Sequence, residues 1–169
     1  MPKVEIKNYD ISYSYNGVSS GNSNSTIVLI HGAGGQEIDW PKAWRSANAQ
    51  AKSMGLTPSN HGVIKLFNAG LDDYSIYALD LPGHGKSDGE SKSNIDEYSS
   101  DVIDFLDAME LENVCLVGHS MGAAIALNAA LSRRSRICSV HDLSPPYNHW
   151  TSPCSNYSNC VGFLGYAFL

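Results

Sequence analysis

The chain has 169 residues, of which 43% are apolar and 17% charged, and a net charge of −6. That length gives one domain with a real core, and the acidic balance leaves no electrostatic footprint for nucleic acid or an anionic membrane. No apolar run approaches the roughly 20 residues of a membrane span, and the opening Met-Pro-Lys-Val-Glu-Ile-Lys lacks the apolar segment of a signal peptide, so the default is a soluble, cytoplasmic protein.

In chain order, Val4–Asn8 and Asp10–Tyr15 alternate polar and apolar residues before Asn16-Gly17. The pattern predicts an antiparallel hairpin closed beyond Tyr15 by a turn that needs a positive φ. Thr26–Ile30 is a continuous β-branched run, the mark of a strand buried on both faces, and it stops at His31-Gly32-Ala33-Gly34-Gly35. Trp40 to Met54 reads as a helix, with Trp44, Ala47 and Ala51 at helical spacing, and a breaker-rich extra segment follows around 54–71. Ser75–Leu79 is a second buried strand, leading into Asp80-Leu81-Pro82-Gly83-His84-Gly85-Lys86-Ser87.

Asn94 to Met109 predicts a strong amphipathic helix, because Ile95, Tyr98, Val102, Phe105, Leu106 and Met109 fall on one stripe, and Asn94 with Glu97 suits a capping-box-like start. Asn113–Val117 is a third buried strand, and Met121–Leu131 an Ala-rich helix with Arg133, Arg134 and Arg136 placed to complement its C-terminal dipole. Strand and helix therefore alternate after the hairpin. The expected class is α/β: a mostly parallel sheet with helices on both faces and an N-terminal antiparallel hairpin, whose ligands bind beyond the carboxyl ends of the strands.

The composition changes at residue 138. Residues 138–169 carry one formally charged side chain, Asp142, and hold Cys138, Cys154 and Cys160. The reading is a domain over 1–137 and an atypical tail over 138–169, either disordered or not native to the domain, with Val140 finishing at most a short strand. The four cysteines form no C-x-x-C pair, so no zinc site is expected; Cys115 reads as a small core residue, and a Cys154–Cys160 disulfide is not expected.

The chemistry concentrates in Gly118-His119-Ser120-Met121-Gly122. A strand, then G-x-S-x-G, then a helix of small residues, is a nucleophile-elbow pattern: the chain reverses within a few residues, Gly118 and Gly122 leave room for strand and helix to approach, and the serine projects at the sheet edge where a helix N-terminus aims its amides. The Met121 amide is then a natural oxyanion donor.

Three motifs in order, His31–Gly35, Asp80–Gly85 with Ser87, and Gly118–Gly122, make the span from Thr26 to about Arg136 resemble the α/β-hydrolase fold superfamily, most closely its esterase, lipase and haloperoxidase-like members. The resemblance implies Ser120 as nucleophile and the amides of Met121 and Ala33 as the oxyanion hole. His31 would order the oxyanion loop, with His31, Gly32, Gly34 and His119 lining the substrate pocket, while Asp80 and His84 support a strand end. It implies no metal or organic cofactor.

In this superfamily the acid and the histidine follow the serine in chain order. Only Asp142 is available as acid, with His141 and His149 as histidines, and Pro145-Pro146 between Asp142 and His149 leaves no rigid element to hold a base. Asp142 and His149 are therefore weak candidates, and the expectation is an incomplete fold that ends before its acid and base, with an open sheet edge inviting self-association. The partner expected is a small ester-like molecule. The competing reading is a catalytically inactive member of the fold that binds a small ligand or a partner. A nucleotide-binding domain fits less well, since His31–Gly35 lacks both G-x-G-x-x-G and a P-loop lysine.

Overall fold

A computed structural model of the chain describes residues 1–17, 25–40, 74–143 and 150–151. Among these, seven strands form one sheet in the order β1-β2-β4-β3-β5-β6-β7. Strands β1 (Lys3–Ile6) and β2 (Tyr9–Asn16) make the antiparallel hairpin. Its turn falls at Lys7-Asn8, with Lys7 at φ 51°, and not beyond Tyr15 as the sequence suggests. The reason is tertiary: residues 13–16 have a partner of their own, pairing antiparallel with β4 (Tyr74–Leu79) from Tyr13↔Leu79 to Asn16↔Ile76. The Lys7 ammonium meanwhile sits 2.6 Å from the Asp101 carboxylate and 3.0 Å from that of Asp104.

The centre of the sheet is parallel. β3 (Ser25–Ile30) lies between β4 and β5 (Val114–Gly118), and β6 (Ile137–Asp142) pairs with β5 on its far side. The two-residue β7 (Trp150–Thr151) runs antiparallel to β6 at Val140 and His141. β5 is thus paired on both sides, and the sheet continues without interruption through residues 138–142, past the change in composition. Chain order carries β3 to β4 on one side and then back across β3 to β5. The connections from β3 and from β5 therefore lead to opposite sides of the sheet, and the carboxyl ends of these two strands are where a sheet of this kind binds its ligands.

β3 shows why these strands are apolar throughout. Val28 and Ile30 face one layer, Ile27 and Leu29 the other, and all four are buried. The first layer holds α1 (Ile95–Ala108) and α2 (Met121–Ser132). α1 presents Tyr98, Val102, Phe105 and Leu106, all buried, while Ile95 and Met109 pack at the margin as its periodicity predicts. Asn94 caps it: its Oδ1 accepts the Glu97 N–H at 2.9 Å. α2 lies close to the sheet through Ala126, Ala129 and Ala130, whose small side chains leave little separation. Of the arginines after α2, Arg133 is the C-cap residue, its N–H on the Ala129 carbonyl. Arg136 donates to the Leu111 carbonyl at 3.0 Å and pairs with Asp107 and Glu112, tying the start of β6 to the turn after α1.

On the opposite face Ile76, Ala78, Val117 and Trp40 join Ile27 and Leu29. The helix expected over 40–54, apart from Trp40, and the extra segment around 54–71 lie outside the described residues, as do His149, Cys154 and Cys160. Among the described residues no helix is long and apolar enough to cross a membrane.

Candidate active site

Ser120 stands at the junction of β5 and α2, exposed, with φ 53° and ψ −120°. A positive φ outside the left-handed helical well is costly for a residue with a Cβ, on the order of 1–3 kcal/mol, and persists only where the surroundings impose it. They do so here. The His119 N–H donates to the Ile30 carbonyl at 3.1 Å, so β5 is still paired with β3 one residue before the serine. One residue after it the helix has begun, with the Gly122 N–H on the His119 carbonyl and the Ala123 N–H on the Ser120 carbonyl, both at 2.9 Å. The whole reversal falls on Ser120.

Two glycines permit it by lacking a side chain. A Cβ on Gly122 would run into the carbonyl oxygen of Ile30, and one on Gly118 into the backbone of Gly122 and Ala123. The first turn of α2 therefore passes directly over the end of β3, which brings the elbow against the loop that follows β3.

That loop is pinned from below. His31 is buried, at 2% exposure; its Nε2 accepts the Leu81 N–H at 3.0 Å, so its Nδ1 carries the proton and donates to the Gly32 carbonyl at 2.7 Å. Burial pushes this imidazole below its ordinary value of 6.5, against the smaller opposing pull of the Gly32 carbonyl. Gly32 rests on the elbow: a Cβ there would lie 3.2 Å from the Ser120 Cβ and equally close to His119 Nδ1. The Gly35 N–H closes the turn onto the Gly32 carbonyl at 3.0 Å, leaving Ala33 and Gly34 exposed at its tip. Among the backbone-to-backbone bonds of the described turns and caps, neither the Ala33 nor the Met121 amide is a donor.

The third motif braces the first. Asp80, 1% exposed, accepts the Glu37 N–H on Oδ1 at 2.7 Å and the Lys86 N–H on Oδ2 at 2.8 Å, while its carbonyl takes the Ser87 hydroxyl at 2.6 Å. His84 accepts the Gly34 N–H on Nε2 at 3.3 Å and donates from Nδ1 to the Pro82 carbonyl at 3.0 Å. The sequence marks both residues as supports of a strand end; their direct bonds to the loop after β3 carry no local signal and emerge only from the tertiary arrangement.

The structure thus brings Ser120, Met121, His119, His31, Gly32, Ala33 and Gly34 to one rim. Asp142, half-buried, ends β6 opposite Gly118, one strand away, and the following Leu143 N–H donates to the Gly118 carbonyl at 2.9 Å. His141 is buried, and desolvation holds its imidazole below the ordinary 6.5. His149 is outside the described residues. Among the described residues no group of three or more His, Cys, Asp or Glu side chains could hold a metal ion.

A parallel sheet with a switch point at β3/β5, a strained serine at the start of a helix and a glycine loop facing it define a hydrolase-type α/β fold. The chain belongs to the alpha/beta hydrolase family, whose model matches residues 27–158 and so takes in all three glycine turns. Among its relatives, the dihydrolipoyllysine-residue acetyltransferase component of an acetoin cleaving system from Pseudomonas putida is 32% identical over 123 residues, which is 71% of this chain and 26% of that protein. Esterase YbfF of Escherichia coli is 30% identical over 129 residues, 75% of this chain and 42% of that protein. An alpha/beta hydrolase fold protein from Chitinophaga pinensis superposes with a TM-score of 0.62 at 16% identity, covering 83% of this chain and 42% of that one, a likeness of fold alone. The chain therefore spans about a quarter to two fifths of the length of these relatives.

Proposed function

We propose that the chain carries the nucleophile and oxyanion half of a serine hydrolase that cleaves small esters by acyl transfer. The observation that carries the reading is the exposed Ser120 at φ 53°, at the N-terminus of α2 and against the Gly32 turn. In the first step the Ser120 Oγ bonds to the substrate carbonyl carbon and gives up its proton to a base. The resulting oxyanion takes hydrogen bonds from the Met121 and Ala33 amides, strengthened by the dipole of α2. Collapse expels the alcohol, which receives the proton. Water then attacks the acyl-enzyme, releasing the carboxylic acid and restoring the hydroxyl.

A hydroxyl rather than a carboxylate in the nucleophile position favours an ester over substrates that need alkyl transfer, and relatives named as an esterase and as 3-oxoadipate enol-lactonase 1 support the same choice. Asp142 is the candidate acid by position, since it ends the strand beside the elbow. The base is supplied from outside the described residues, His149 being the candidate in this chain.

The test is hydrolysis of p-nitrophenyl butyrate. With His149 as the base, release of nitrophenolate by the folded chain, lost in Ser120→Ala, is the expected result, because removing a nucleophile removes the covalent route altogether. An unchanged rate in Ser120→Ala contradicts the proposal, and a folded chain with no turnover favours a ligand-binding role for the same fold.

A further inference from the structure

We propose that His84 is a positioning residue for the oxyanion loop, and that it does so as one half of a reciprocal histidine clasp between the loops that follow β3 and β4. The catalytic consequence rests on the function proposed above; the clasp itself does not.

Each loop contributes one imidazole, and each imidazole accepts a main-chain N–H from the other loop. His31, from the loop after β3, takes the Leu81 N–H at 3.0 Å. His84, from the loop after β4, takes the Gly34 N–H at 3.3 Å. An N–H donor at Nε2 requires a lone pair there, so in this arrangement each ring accepts at Nε2 and donates from Nδ1. Each Nδ1–H is matched by a carbonyl of its own loop, Gly32 at 2.7 Å and Pro82 at 3.0 Å. The two rings lie against each other with centroids 5.0 Å apart, and Tyr98 of α1 backs the His84 ring at 6.2 Å. Four hydrogen bonds thus fix two rings in a single tautomer and orientation.

The two halves of the clasp are not equivalent. His31 holds the root of its loop, buried beneath Gly32. His84 holds the tip, and at the tip little else does. Gly34 is exposed at φ 71°, and a Cβ placed on it would meet no atom within 4 Å, so packing does not fix this position. Two bonds set its course: the Gly35 N–H to the Gly32 carbonyl, and the Gly34 N–H to His84. Ala33, whose amide is the proposed second oxyanion donor, sits between those anchors. A donor contributes to catalysis only if it is already aimed where charge develops. Without the His84 acceptor the Gly34 N–H turns to water and the Ala33–Gly34 peptide is free to rotate; the turn that the Gly35 N–H closes on the Gly32 carbonyl then loosens, and through that carbonyl so does the Gly32–Ala33 peptide, which carries the Ala33 N–H.

A complete loss of one oxyanion donor lowers kcat by roughly a hundred- to a thousandfold. Loosening a donor that is still present costs less, so the expected effect is about three- to tenfold, in the acylation rate and not in the binding of substrate.

The test uses the full chain with two variants. His84→Phe keeps the volume of the ring and removes the acceptor; His84→Gln restores an acceptor near the Nε2 position. The first readout is amide hydrogen exchange at Gly34, with Leu116 and Val117 in β5 as controls. Exchange at Gly34 is expected to quicken by about fivefold or more in His84→Phe and to return near the wild-type rate in His84→Gln, with β5 unchanged. The second is the rate of Ser120 phosphonylation by a fluorophosphonate, expected to fall three- to tenfold in His84→Phe and to recover in His84→Gln. Unaltered Gly34 exchange in His84→Phe overturns the clasp. Altered exchange with an unaltered phosphonylation rate overturns the positioning role. Should β5 lose protection in His84→Phe, the decision passes to His84→Gln, where an unprotected Gly34 in a folded chain contradicts the proposal. Absence of phosphonylation in every chain, with Gly34 responding as expected, counts against the proposed function and leaves the clasp standing.

Discussion

At the scale of single residues, the site depends on where a side chain is missing as much as on where one is present. Gly122 shows this most directly: an added methyl would meet the carbonyl oxygens of Ile30 and His31, which belong to a central strand and its loop and have nowhere to retreat. Gly122→Ala is expected to destabilise the chain by about 1–3 kcal/mol, read as a lower midpoint in urea, and to displace Ser120 from its strained conformation. An unchanged midpoint contradicts this close approach. Ser120 and its flanking glycines are legible in the sequence because the spacing G-x-S-x-G between a buried strand and an Ala-rich helix has few structural solutions. The partner of His84 is not legible, because Gly34 is 50 residues away and nothing local to Gly83-His84-Gly85 says which amide its ring will meet. The same holds for Asp80, whose carboxylate reads as a strand-end support but binds the Glu37 amide across two loops.

Among the elements, α1 follows most closely from sequence. Its apolar stripe faces the sheet, and Asn94 accepts the Glu97 N–H as the cap. Asn94→Ala is expected to cost about 1 kcal/mol in a denaturant melt, since the Glu97 amide loses its acceptor; a change below a few tenths would show that water replaces the cap fully. The hairpin turn is misplaced by local reasoning for an identifiable cause. Asn16-Gly17 is the stronger turn signal, yet the chain turns at Lys7, at φ 51°, because residues 13–16 pair with β4. β6 is likewise longer than its composition suggests. Cys138, Ser139 and His141 break the apolar run that marks β3 and β5, but parallel pairing with β5, with an irregularity in register between Val114 and Cys115, buries Ser139 and His141 all the same.

For the molecule as a whole, the order of strands decides where a site can form: β3 lies between β4 and β5, both later in the chain and both parallel to it, so its loop and the elbow after β5 meet at one rim. Alternating strand and helix patterns make that architecture readable in advance, whereas the candidate base His149 lies outside the described residues. Global stability carries a pH signature of its own. His31 and His141, on β3's loop and β6, are both held below 6.5 by burial. The unfolded chain takes up protons near pH 6.5 while the folded chain resists until lower pH, so stability is full above that value and declines as pH falls below it. The melting temperature at pH 5.5 is expected to lie below that at pH 7.5, and a flat profile over this range contradicts the burial of these neutral rings. The central claim, that Ser120 is a nucleophile presented to an oxyanion hole, is tested most directly by treating the folded chain with a fluorophosphonate and mapping the adduct by mass spectrometry. A single adduct on Ser120, absent from Ser120→Ala, is the predicted result; a folded chain that takes no adduct, or takes one elsewhere that survives Ser120→Ala, contradicts it.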